Sequence, residues 1–332
     1  MNRFLVTGST RPATRIVLLL LSLLLCSLLS ACSLSKKTEE RPWLVLATTQ
    51  DLNASGLLDI ILPPFEQANK VRIKRLPVSY SQALAYAHEG GVDLLLTEYN
   101  TGSDLAKLAG PAPEFPRYNT EYNDNPLAAP APASQPTQAA SFEAIMAERK
   151  LAFWSDLVLV GPANDPGGVG ASQQYNAGRA LKWIALNNLP FVVAGDAPGL
   201  REQQDRLWRI LGQGEERDRG TGYRVIAGDA RAALKEAEVQ QAYTIVPYYL
   251  YLNNQTNNKL KIILQGDPAF FLGYEIAIPN TIRIQDRDVS QSRSFTSYLI
   301  QNSTQAIIYN YHKDKYPNYL FRPWLFQAYR PA

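Results

Sequence analysis

Three apolar runs spaced by two amphipathic stretches dominate the start of the ordered chain. Leu44–Ala47, Val71–Val78 and Val92–Thr97 read as strands, and 56–68 and Ser81–Glu89 as helices. Parallel neighbours need a long crossover, which a helix supplies, so strand–helix–strand–helix–strand confines the chain to an α/β fold with a parallel sheet. Ser55 is placed to cap the first helix, because its hydroxyl can accept from an unsatisfied N–H. Pro63-Pro64 are expected to kink or split that helix, and Gly90-Gly91 to stop the second. The first turn carries Thr48, Thr49, Gln50, Asp51, Asn53 and Ser55, where one capping side chain would do. These groups either close the turn on itself or face something that is not protein.

Beyond Thr97 the pattern breaks. Residues 110–143 are rich in Pro, Ala, Ser, Thr and Asn. Such a stretch buries too little apolar surface to offset its ordering entropy and is expected as a surface insertion. Order resumes around 144–150 with a strand over Phe153–Val160. Helices are expected over 178–188, 200–211 and 230–239, the last capped by Asp229, and strands over 191–193, 243–246, 260–264 and 274–278. Residues 289–311 are mostly helical. The tail Tyr309–Tyr329 is dense in aromatics and is expected to pack onto a domain surface.

The N-terminus sets where the chain works. Arg3, Arg11 and Arg15 precede an almost wholly apolar run, 16–29, which ends in Leu29-Ser30-Ala31-Cys32. A basic start, a short apolar stretch and small residues before a cut make a secretory signal peptide over 1–31. The run is shorter than the roughly 20 residues a membrane span needs. Leu-Ser-Ala-Cys resembles the lipobox of bacterial lipoproteins, which implies lipidation of Cys32 and a tether over 32–42. Without the three signal arginines, 30 basic residues face 30 acidic ones, so no charged surface for nucleic acid is indicated. Cys26 leaves with the signal and Cys32 is blocked by lipid. No disulfide, thiolate metal site or cysteine nucleophile then remains.

The order of segments resembles a known family. Leu46-Ala-Thr-Thr, Ser55–Glu66, Gln82-Ala-Leu84, Val92-Asp-Leu-Leu-Leu96, Ser155–Pro162, Pro190-Phe191 with Gly195-Asp196 and Gly199, Trp208, Gln241-Ala-Tyr-Thr244 and Leu264–Pro268 are similar to the tungstate-type (TupA-like) substrate-binding lipoproteins of ABC transporters. The resemblance implies a two-lobed, periplasmic-binding-protein-like (type II) fold with a hinge and an interlobe cleft. Residues 43–162 plus 246–332 would form lobe 1 and 163–245 lobe 2. It also implies a monomer that delivers a small anion to an ABC permease, with no cofactor and no metal. An oxyanion offers only acceptors, so its partners must be donors, and loops entering helices supply them. Thr48, Thr49 and Ser55 fit that need, with Ser79 and Ser81 as a second set.

The chain departs from the family at its ligand loop. There the family reads Ser-Arg-Gly-Asp-Asp-Ser-Gly-Thr-His, and this chain has Val193-Ala-Gly-Asp-Ala-Pro-Gly-Leu-Arg201. Ala194, Pro198 and Leu200 stand where the family has donors; Arg201 would restore a cation if it points inward. Two other readings therefore stay open: a receptor for a small organic anion, or an anchored sensor or interaction protein that kept the fold and lost oxyanion binding. No histidine metal motif, nucleophile elbow, P-loop or dinucleotide glycine pattern occurs, so catalysis is not expected.

Overall fold

The computed structural model describes residues 42–99, 146–172, 176–214, 216–254, 259–267, 269–280 and 288–325. The signal peptide, Cys32, the tether up to Arg41 and the insertion 110–143 lie outside the described residues.

Strand β1 (Trp43–Thr49) pairs in parallel with β2 (Arg72–Val78) on one side and β3 (Leu94–Glu98) on the other. The connections are α1 (Gln50–Ala54) with α2 (Leu57–Asn69), then α3 (Tyr80–Glu89). This is the parallel unit the alternation implies. Pro63 and Pro64 do not split α2, which runs unbroken from Leu57 to Asn69. Both prolines are exposed, and so are Asp59 and Ile60, whose carbonyls lose their helical donors. Water can serve those carbonyls, so the helix continues.

The sheet then turns antiparallel. Its order is β10-β4-β9-β3-β1-β2, with β4 spanning Met146–Pro162, β9 Phe271–Pro279 and β10 Phe321–Pro323. Strand β4 outruns the expected Phe153–Val160 because two sets of partners extend it. Met146–Asp156 pairs with β9, and Leu157–Pro162 pairs with β7 (Thr244–Pro247) and β8 (Leu260–Gln265). Between β4 and β7 lie α4 (Val169–Ser172), α5 (Ala177–Leu186), β5 (Phe191–Ala194), α6 (Pro198–Ile210), β6 (Tyr223–Ile226) and α7 (Ala230–Gln240). Strands β5 and β6 make a separate parallel pair. The chain thus has two halves, each with its own sheet. The outgoing β4 and returning β7 run side by side between them, Leu157 opposite Pro247 and Val160 opposite Thr244.

Each half has an aromatic centre. In the first, Phe65 of α2 meets Phe295 of α9 (Ser290–Ile300) edge-on at 5.0 Å. In the second, Trp208 of α6 stands perpendicular to Phe191 at 5.7 Å. After α8 (Tyr248–Asn253) and α10 (Asn302–Asn310), the described part of the aromatic tail, up to Leu325, seats on the first half; Phe326 and Tyr329 lie outside the described residues. Phe321 is stacked on Tyr249 at 5.1 Å and edge-on to Phe153 at 5.4 Å. Among the described residues no helix is long and apolar enough to cross a membrane.

Candidate functional site: the joint between the halves

Parallel strands end together, and β1 and β3 bring Thr48–Thr49 and Thr97–Glu98 to one edge of the first half, beside the starts of α1 and α3. The starts of α6 and α7 face this edge from the second half. Among the polar contacts between the halves, three set a carboxylate at this edge. The Leu200 amide, in the first turn of α6, donates to Glu98 Oε2 at 3.1 Å. The Ser81 amide, in the first turn of α3, donates to Asp196 Oδ1 at 3.4 Å. Arg231 of α7 donates to Asp51 Oδ1 at 3.2 Å. Each half therefore sets a carboxylate on a helix start of the other, where free N–H groups and the helix dipole favour negative charge. Gly199 makes the approach possible, since a Cβ there would lie 2.4 Å from the Tyr99 carbonyl oxygen and 2.8 Å from Glu98 Cβ.

Burial sets the charge at this joint. It pushes Glu98 up to about 8, aided by the charges of Asp51, Asp229 and Asp196 and opposed by the Leu200 amide. It pushes Asp51 up to about 6, aided by Asp229 and opposed by Arg231. The hydroxyls of Tyr249 and Tyr274 lie close by, bonded to each other at 2.7 Å and raised well above their ordinary value by burial. These acids do not form a metal centre: among the described residues no three His, Cys, Asp or Glu side chains are grouped as metal ligands.

The expected donors have diverse roles. Thr48 is fully buried, and among the described residues its Oγ1 has no partner. Thr49 caps α1 by accepting from the Leu52 amide at 3.4 Å. Ser55 donates to the Leu52 carbonyl at 2.7 Å and accepts from the Leu57 amide at 3.2 Å, although Gly56 is the residue at the α2 cap position. Ser79 and Gln82 close a reciprocal capping box on α3, and the Ser79 and Ser81 hydroxyls lie 3.1 Å apart. Arg201 turns to Glu216, on its own half, in a partly exposed ion pair. The joint thus gathers Thr48, Thr49 and the Ser79–Ser81 turn, while the Arg201 guanidinium is engaged elsewhere.

Sequence reasoning missed Glu98, Arg231 and Arg206. Glu98 had a signal: an acid that closes the wholly buried run Leu94–Thr97 must have a reason to be there. Arg231 and Arg206 had none, being charges on amphipathic helices. Arg206 is partly buried; burial lowers its pKa, the Glu202 charge one turn back opposes that, and Tyr99 at the joint also bears on its charge. Among the described residues the joint offers an oxyanion the unpartnered Thr48 hydroxyl and two helix starts that already hold carboxylates.

No family model matches the chain. It is 28% identical over 289 residues to the tungstate-binding protein TupA of Peptoclostridium acidaminophilum, covering 87% of this chain and 88% of that one. The crystal structure of the tungstate ABC transporter from Geobacter sulfurreducens superposes with a TM-score of 0.61 at 23% identity, over 81% of this chain and 98% of that chain. The tungstate-binding protein TupA from Desulfovibrio alaskensis G20 superposes with a TM-score of 0.59 at 24% identity, over 85% and 98%. The two structures share with this chain its two-lobed, type II architecture.

Proposed function

The chain is homologous to TupA-type tungstate-binding proteins, and from that premise we propose that it is the solute-binding component of an ABC transporter, taking a small tungstate- or molybdate-like oxyanion between its lobes. Residues 43–162 with 246–332 form lobe 1 and 163–245 lobe 2. The chain is exported, anchored through Cys32 outside the cytoplasmic membrane, and as a monomer presents its closed form to a permease. It does no chemistry on its ligand. The two lobes moving about β4 and β7 make an open–closed equilibrium, which a ligand biases by its preference for the closed form.

The observation that carries this reading is the Thr48 hydroxyl, buried at the joint without a partner. A buried donor left unpaired costs about 1–3 kcal/mol, which a bound oxyanion would recover. Thr49, Ser55, Ser79 and Ser81 line or brace the same edge, and Arg206 supplies a cation in place of Arg201.

The test is thermal unfolding of the purified protein with tungstate, molybdate, sulfate, phosphate and small carboxylates. A ligand at a hundred times its Kd adds about 2.7 kcal/mol and raises the midpoint by a few degrees, and Thr48→Val abolishes the rise. The carboxylates on both helix starts favour one second reading, a sensor or interaction lipoprotein that retained the fold without oxyanion binding. A flat response to every anion is the result that reading requires.

A further inference from the structure

Oxyanion sites present donors, yet the helix start facing this joint holds an acid. Glu98 is 5% exposed. Its Oε2 accepts from the Leu200 amide. Strand register places a second polar group beside it: Thr48 pairs with Leu96, so Thr48, Leu96 and Glu98 share one face of the sheet. Among the described residues, the Thr48 Oγ1 on that face has no partner. The groups around Glu98 are Asp51 of α1, Asp196 ahead of α6, Asp229 ahead of α7, Tyr249 of α8 and Tyr274 of β9, and the nearby Arg231 is bonded to Asp51. An ionised Glu98 would meet any arriving oxyanion as one acceptor facing another, among further negative charges.

We propose that Glu98 is a specificity residue of the oxyanion site, sharing a single proton with the bound ligand. This deepens the oxyanion reading and rests on it. Two arrangements satisfy the geometry. A ligand that brings its own hydroxyl donates to ionised Glu98. A fully deprotonated ligand is accepted only when Glu98 carries the proton and donates through its O–H. No covalent bond is made or broken; one proton lies between the two oxygens in either case. The site therefore discriminates hydrogenphosphate-like from tungstate- or sulfate-like anions by pH. At neutral pH, where burial keeps Glu98 protonated, it accepts both, and above that range it accepts only the first.

The test is isothermal titration of the full chain with tungstate, sulfate and phosphate from pH 6 to 10, in pairs of buffers of different ionisation enthalpy. The expected result above pH about 8 is a tenfold loss of tungstate and sulfate affinity per pH unit, with uptake of one proton per anion bound. Phosphate, which keeps one O–H there, shows neither. Glu98→Gln removes the slope for tungstate, and its thermal unfolding checks that it is folded. The proton count on the unaltered protein decides the matter even if the variant is not. Tungstate binding with a flat pH profile and no proton uptake, or phosphate falling together with tungstate, overturns the assignment of Glu98 and leaves the oxyanion reading intact. No binding of any of the three at any pH overturns both.

Discussion

A hydroxyl buried without a partner and one that caps a helix have opposite responses to removal. Thr48 is the first kind and Thr49 the second. Thr48→Val keeps the shape and deletes only the unpaired oxygen, so it should raise ligand-free stability, by up to about 1–3 kcal/mol. Urea unfolding without anion would show this, and a loss above about 2 kcal/mol would mean Thr48 has a structural partner. Glu98 makes a different residue-scale prediction. It holds its proton more tightly folded than unfolded, so the folded state binds the extra proton from pH 4.5, the ordinary value, to about 8. The stability it contributes is complete below that window and is lost as pH rises through the folded value, at about 1.4 kcal/mol per pH unit. Unfolding midpoints followed from pH 4.5 to 9 should therefore slope downward more in the native protein than in Glu98→Gln. Parallel profiles would show that Glu98 is ionised in the folded state.

At the scale of elements, the same side chain can hold a helix and border a ligand, and the two roles separate by experiment. Ser79 accepts from the Gln82 amide, and Gln82 Oε1 accepts from the Ser79 amide at 3.1 Å. Ser79→Ala should cost about 1 kcal/mol with no anion present. If Ser79 serves only as a cap, the anion-induced rise in melting temperature is unchanged; if it also meets the ligand, the rise shrinks. The helix itself was legible in the sequence over Ser81–Glu89, with Gly90, left-handed in the structure, as its stop; its cap, Ser79, was expected only as a ligand donor. Helix α2 shows where local reading failed. Pro63-Pro64 signal a break, but solvent on that face removes the cost of the free carbonyls. Strands β6 and β10 and helix α8 were also missed: Tyr223–Ile226 and Phe321–Pro323 are too short for periodicity to register, and they form because β5 and β4 are there to pair with them.

For the whole molecule, the decisive contact is the fit of Gly199 under Tyr99 and Glu98. Gly199→Ala adds a methyl where the halves meet, and overpacking of this kind costs about 1–3 kcal/mol. Alanine suits a helix, so α6 should persist while the halves move apart. Small-angle scattering should report a larger radius of gyration with unchanged helical circular dichroism. An unchanged radius would mean that closure does not depend on this contact.

The sequence by itself determined the alternation of strand and helix, the cap at Asp229, and the crowd of polar groups after β1, because these follow from local spacing and backbone chemistry. It also carried the family likeness through the order of its segments. Tertiary structure alone decided which of those polar groups stay unsatisfied. Thr48 is left without a partner, Arg201 turns to Glu216, and Glu98 meets a helix start a hundred residues away in the chain. Such outcomes depend on which surfaces come together and on the water excluded between them, and no window of neighbouring residues contains that information.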